Sequence, residues 1–238
     1  MKIMQNVSIL VRSIFVLALL LKPDYVLAHA HPIKTDTGLI YYEEARFKKD
    51  EISTPFYYIR HGQTDANKYG IAPENLDVHL NEDGVIQAKK AAKLLRERNI
   101  KIIVASPLVR TKQTAEIINQ ELNVPLIYHD GLKEANWGIL AGENLNKQSA
   151  NKKIWLNGGK IHGVEDLYHF QTRVHDTVKE IVNQHGNVLI VGHSVYFNNL
   201  TILLNEEHIK AKNAIPFYFT PILGNTNKEL YKIGPLIS

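Results

Sequence analysis

Apolar and polar positions alternate in two different rhythms along this chain. Short runs rich in β-branched and aromatic residues recur at FYYI (56–59), KIIVA (101–105), PLIY (125–128), NVLIVG (187–192) and IPFYFT (215–220). Each has the length and composition of a strand. Between them lie stretches whose apolar residues fall three or four apart, the spacing of one helix face. Residues 81–98 place Val85, Ala88, Ala92 and Leu95 in this way. Asn81 stands where an N-cap belongs, and Glu82 and Asp83 fall in the first turn, where the helix dipole favours negative charge. Ser106-Pro107 predicts an N-cap followed by proline at the first helical position, opening a helix to about Leu122. Residues 165–185 line up Leu167, Phe170, Val174, Val178 and Ile181, and Gly186 ends the pattern. Strand and helix in alternation predict an α/β sheet covered by helices on both faces. The segments 215–220 and LYKIG (230–234) are joined by a short turn around GNTN and predict an antiparallel edge.

The first 30 residues break this pattern. Lys2 and Arg12 precede the apolar run IFVLALLL (14–21), and small residues recur at Ala28 and Ala30. A basic start, a short apolar core and an A-x-A ending describe a secretory signal peptide over residues 1–30. The run is shorter than the roughly 20 apolar residues that span a bilayer. The expected location is therefore periplasmic or secreted, with no stable membrane insertion after cleavage. Residues 31–54 are polar and irregular, with Gly38 and EEARFKKDE, and are expected to be a lead-in segment. The domain proper is expected over 55–238.

Composition narrows the function. Among 238 residues, 45% are hydrophobic and 22% charged, ordinary for a globular protein large enough to bury its own core. Half of the formal +4 charge sits in residues 1–30, where Lys2, Arg12 and Lys22 face only Asp24. With no long run of Lys and Arg elsewhere, a nucleic-acid partner is not expected. The absence of cysteine excludes a disulfide framework and a thiolate metal site.

Ligands of open α/β sheets bind beyond the carboxyl ends of the strands. FYYI is followed by Arg60-His61-Gly62, KIIVA by Ser106-Pro107 and then Arg110, PLIY by Glu134, and NVLIVG by His193. Two histidines, two arginines and one glutamate thus gather at strand exits. They suit phosphoryl transfer. A neutral imidazole is a nucleophile, and a neighbouring Arg both opposes its protonation and binds phosphate. A second histidine can donate to the same oxygens. A carboxylic acid such as Glu134 can supply a proton to the leaving oxygen and later draw one from water. His162, His169 and His175 fall in or near one amphipathic stretch and are expected to face solvent, as is Glu165. Trp137 and Trp155 are expected to pack or line a pocket wall.

These blocks resemble a known family. RHGQTDAN (60–67) is similar to the RHGxTxxN motif of the histidine phosphatase superfamily, the phosphoglycerate mutase-like proteins. LDVHLNEDGVIQA (76–88) is similar to its PLTxxGxxQA block, with a departure at His79. SPLVRTKQTA (106–115), LKEANWGILAGE (132–143) and VGHS (191–194) match three further blocks, in the same order. The resemblance implies a three-layer α/β/α sandwich with a mostly parallel central sheet and an antiparallel strand. It implies His61 as the phosphorylated nucleophile and Arg60, Arg110 and His193 as the phosphate pocket. Glu134 is implied as proton donor and acceptor, and Asn67 and Thr64 as substrate contacts. No metal or other cofactor is implied. Ser194 after His193 does not fit the acid phosphatase branch, which has an HD motif there. The expected activity is a phosphomonoester phosphatase acting on a small phosphate ester. A phosphoglycerate mutase-type phosphotransferase and a non-catalytic phospho-ligand binding module are the alternatives.

Overall fold

A computed structural model describes residues 30–48, 51–71, 78–142, 149–222 and 230–237. The expected signal peptide, apart from Ala30, and the GNTN turn lie outside these residues. Among the described residues no helix is long and apolar enough to cross a membrane. The strands are β1 (Pro32–Lys34), β2 (Ile40–Tyr42), β3 (Phe56–Arg60), β4 (Ile102–Ala105), β5 (Leu126–Tyr128), β6 (Val188–Gly192), β7 (Pro216–Pro221) and β8 (Tyr231–Pro235). The α-helices are α1 (Asp65–Tyr69), α2 (Glu82–Leu95), α3 (Val109–Leu122), α4 (Ser149–Leu156), α5 (Leu167–His185) and α6 (Ser194–Asn205).

The main sheet has six strands in the order β5-β4-β6-β3-β7-β8. The first four run parallel, and β7 pairs antiparallel with both β3 and β8. The period of two along each central strand sorts its residues into two cores. Phe56, Tyr58, Val104, Val188 and Ile190 face one side, where they meet Phe170, Val174 and Val178 of α5 and Tyr196, Phe197 and Leu200 of α6. Tyr57, Ile59, Ile103, Leu189 and Val191 face the other, where they meet Ala91, Ala92 and Leu95 of α2 and Ala115 and Ile118 of α3. Both faces of β3 and β6 are thus dry, which is why these strands read as continuous apolar runs. The three-layer α/β/α sandwich is the observed architecture.

Three expectations are corrected. Residues 31–54 are not an irregular lead-in. Their described part contains the β1–β2 hairpin and a 3₁₀ turn, Glu43–Ala45. Tyr41, Ala45, Phe47 and Ile52 are buried in the α5–α6 core. Burial of Phe47 and of Ile52 contributes roughly 1.5–3 kcal/mol each. Glu51 anchors the segment to α5 by accepting hydrogen bonds from Lys179 Nζ (2.7 Å) and His175 Nε2 (3.0 Å). That contact also corrects His175, which is 7% exposed, packed at a tilt against Phe47 and not solvent-facing. The third correction concerns Ser106-Pro107. Helix α3 begins at Val109 with Leu108 as N-cap, and Ser106 is buried with its hydroxyl committed elsewhere.

Candidate active site

Strand register brings the two histidines together. Arg60 on β3 lies opposite Gly192 on β6, so His61 and His193 leave neighbouring parallel strands at the same level. Their ring centroids are 5.5 Å apart. Ala105 on β4 lies opposite Val191, which puts Ser106 beside the same exit. Arg110 follows on the first turn of α3 and is 1% exposed. The loop after His61 is held by close packing against the start of α2. A Cβ at Gly62 would lie 2.5 Å from the Gly84 carbonyl oxygen, so the RHG glycine answers a steric need. Gly62 N–H donates to Thr114 Oγ1 (3.0 Å), which itself donates to the Arg110 carbonyl (2.7 Å). Histidine loop and arginine turn are therefore fixed to each other.

His61 Nδ1 lies 2.7 Å from the Gly62 carbonyl oxygen. A carbonyl only accepts, so Nδ1 carries the proton and Nε2 carries the lone pair. Burial drives the His61 pKa well below its ordinary value, and Arg110 and Arg60 drive it further. His193 is shifted the same way, first by burial and then by Arg110, His61 and Arg60. Both rings are neutral near pH 7. His193 Nε2 lies 2.8 Å from Ser106 Oγ, and its Nδ1 is buried with no protein partner. Tyr58, fully buried, accepts from the His193 N–H (2.8 Å) and donates to the His193 carbonyl (3.0 Å). Arg60 donates from Nη1 to the Ala211 carbonyl (3.1 Å), and its buried Nε has no protein partner. Burial lowers the Arg60 pKa, and the Glu134 carboxylate opposes that shift.

Glu134 reaches the site from the loop after β5. Its Oε1 accepts the Tyr196 N–H and its Oε2 the Val195 N–H, both at 2.9 Å, at the N-terminus of α6. Helix α6 follows directly from His193, so one helix start positions both groups. Arg173 on α5 staples the Glu134 loop. It donates to the carbonyls of Gly131 (2.9 Å) and Lys133 (2.7 Å) and pairs bidentately with Glu165 (2.9 and 2.7 Å). Glu165 is thus a structural ion partner and not a solvated surface carboxylate. Trp155 beside it is buried against Trp137 and donates from Nε1 to the Glu165 carbonyl (2.6 Å).

Thr64 and Asn67 form the capping box of α1, each side chain accepting the other's backbone N–H at 3.2 Å. Asn67 Oδ1 also accepts from Asn213 Nδ2 (3.1 Å), which donates in turn to the His61 carbonyl (3.0 Å). The structure therefore gives Thr64 and the Asn67 oxygen a role in shaping the loop, while the Asn67 amide nitrogen is its remaining donor. Tyr58, Arg173 and Asn213 have no sequence signal as site residues, and Ser106, at a strand exit, carries only the signal of a helix cap. Asn213 arrives because β7 runs beside β3, a long-range pairing that local pattern does not reveal.

A cavity of about 770 Å³ opens next to this cluster. Arg60, Ser194, Val195 and Asn213 are among the residues that line it. The β1–β2 loop, α4 and residues 208–213 complete its walls. No group of three or more His, Asp or Glu placed to hold a metal ion occurs among the described residues.

Comparisons with known proteins bear on the family and the fold. Over 146 residues the chain is 32% identical to an uncharacterized phosphatase, PhoE, of Bacillus subtilis, covering 60% of this chain and 72% of that protein. It is 30% identical to a probable phosphoglycerate mutase, GpmB, of Escherichia coli, covering 58% of this chain and 69% of that one. The fold superposes on a mycobacterial glucosyl-3-phosphoglycerate phosphatase with a TM-score of 0.65 at 22% identity, over 78% of this chain and 98% of the other. Residues 56–220 match the family model of the histidine phosphatase superfamily, branch 1, and with the paired histidines, the arginines and the carboxylate in place the chain belongs to that superfamily.

Proposed function

We propose that the protein hydrolyses phosphomonoesters through a phosphohistidine at His61 and that it does so outside the cytoplasm. The observation that carries the reading is His61 itself. It is a buried, neutral imidazole whose Nδ1 is tied to the Gly62 carbonyl, with Arg110 and Arg60 near enough to oppose its protonation and the His193 ring centroid 5.5 Å away. Nε2 attacks phosphorus, the ester P–O bond breaks, and the leaving oxygen takes the proton of the Glu134 carboxyl. The guanidiniums and His193 Nδ1–H hold the equatorial oxygens, where positioning and charge stabilisation supply most of the catalysis. Glu134, now a carboxylate, draws a proton from water, whose oxygen attacks phosphorus. The P–N bond breaks, orthophosphate departs, and His61 and Glu134 return to their starting states.

Support for the hydrolase comes from the phosphatase-named relative. Support for export comes from the basic, apolar and small-residue sequence of residues 1–30. The GpmB-like relative supports a second reading, a mutase that returns the phosphoryl group to another hydroxyl of the substrate. The deciding experiment measures orthophosphate released from an aryl phosphate in EDTA by the chain from about His31 onward, beside a phosphoglycerate isomerisation assay. Steady release that His61→Ala abolishes is expected. Isomerisation without release would establish the mutase. Phosphate binding with neither activity would establish a binding module.

A further inference from the structure

We propose that the cavity beside the phosphoryl site holds the substrate's alcohol and that this alcohol carries a second anionic group. The inference rests on the phosphatase reading above and adds the substrate class to it.

Position is the first argument. The leaving oxygen must lie opposite His61 Nε2 and near the group that protonates it. That group, Glu134, is held by the backbone of Val195 and Tyr196. Val195, Ser194 and Arg60 also line the cavity. An alcohol leaving past Glu134 therefore extends into this space.

Charge is the second argument. Lys152 and Lys153 of α4 and Lys210 and Lys212 of the segment before β7 all border the cavity, and no Asp or Glu among the described residues lines it. None of the four lysines makes an ion pair among the described residues. Elsewhere Lys133 and Lys179 are neutralised by Asp130 and Glu51. Uncompensated positive charge around a concave surface concentrates anions and orients them. The Lys210–Lys212 segment is also tied to the phosphate arginine itself, through the bond from Arg60 Nη1 to the Ala211 carbonyl. A substrate bridging the two would be gripped at both ends.

Shape is the third argument. Leu39, Ile40, Leu167, Val195 and Ile202 give the cavity apolar walls, and its volume suits a small organic molecule. An apolar wall with a cationic rim fits a carbon skeleton that ends in phosphate or carboxylate. The β1–β2 loop closes one side, which gives the N-terminal hairpin a part in specificity.

The test compares three esters on one carbon skeleton: glucose 6-phosphate, 6-phosphogluconate and glucose 1,6-bisphosphate. Orthophosphate release is followed at low and high salt. At low salt, kcat/KM for at least one of the doubly anionic esters should exceed that for glucose 6-phosphate by about tenfold. Which of the two is preferred separates a carboxylate from a second phosphate. High salt should shrink the advantage by screening. Combined Lys152→Gln, Lys153→Gln, Lys210→Gln and Lys212→Gln substitutions, all at exposed or half-exposed positions, should lower the preference ratio toward unity. Equal kcat/KM for all three esters, or a preference that survives the four substitutions, would overturn the inference and leave the phosphatase reading standing. No release from these esters or from an aryl phosphate would overturn both.

Discussion

Ser106 Oγ and His193 Nε2 lie 2.8 Å apart in a pocket from which both residues are fully buried. The hydroxyl decides what His193 can do. If Ser106 donates to Nε2, the ring proton must sit on Nδ1, the buried nitrogen with no protein partner. His193 then offers an N–H to a phosphoryl oxygen. Ser106→Ala removes that constraint and should lower kcat/KM by about tenfold or more. Ser106→Thr should restore much of the loss. Nitrogen NMR of His193 should show the tautomer population shifting in the alanine variant, a change that a purely packing role would not produce.

The same burial makes stability depend on pH. His61 and His193 both have pKa values pushed below the ordinary 6.5. The unfolded chain therefore binds more protons than the folded one below about pH 6.5, and stability rises with pH through that window. As pH falls below about 6.5, the contribution of both histidines is lost. Glu51 acts lower on the scale. Burial raises its pKa, but hydrogen bonds from His175 and Lys179 outweigh this and hold it at about 2. Its contribution is present above pH 4.5 and is lost as pH falls toward 2. Thermal melts from pH 8 to 5 should show Tm falling on acidification, and His193→Gln should flatten the slope above pH 5. A slope unchanged in that variant would count against the assignment. Inorganic phosphate should protect most at the acid end, because a bound anion favours the charged rings.

Glu134→Gln replaces a group that exchanges a proton with one that cannot. For alkyl phosphates kcat should fall by about 10²–10⁴-fold. An aryl phosphate, whose leaving oxygen needs little protonation, should still phosphorylate the enzyme. Hydrolysis of the intermediate should then become the slow step. Rapid-quench kinetics should show a burst of phenol release followed by slow turnover, and equal losses for both substrates would argue against the carboxyl as proton donor.

Removing the N-terminal hairpin should damage the fold as well as the cavity. Phe47 is 2% exposed and packs on His175. Phe47→Ala should cost about 3–5 kcal/mol of stability, read from urea melts. A protein beginning at Thr54 should expose the apolar face of α5 and bind a hydrophobic dye. If neither change altered the melt, residues 31–54 would indeed be a detachable lead-in.

How far the sequence reveals all this depends on range. Strands β3, β4 and β6 are legible because strands buried on both faces leave unbroken apolar runs. Helices α2 and α5 are legible from the period of their buried faces. His61, Arg110, Glu134 and His193 are legible because strand exits collect chemistry in this class of sheet. Ser106 is not, because Ser-Pro carries the local signature of a helix start, and only the β4–β6 register turns its hydroxyl toward His193. Tyr41, Phe47 and Ile52 are buried without periodicity, because a three-residue strand and a 3₁₀ turn are too short to repeat. His175 stands at the edge of a buried helical stripe, and its partner Glu51 is 124 residues away. Arg173, Asn213 and the lysines of 210–212 depend on the same kind of distant pairing.

The central claim is that phosphate passes through His61. The most direct measurement mixes the protein with an aryl phosphate, quenches it in alkali within the first turnover, and maps the phosphorylated residue by mass spectrometry. A single acid-labile phosphoryl group on His61, formed and lost at rates that account for kcat, is the predicted result. Full turnover with His61 unmodified throughout would contradict the account.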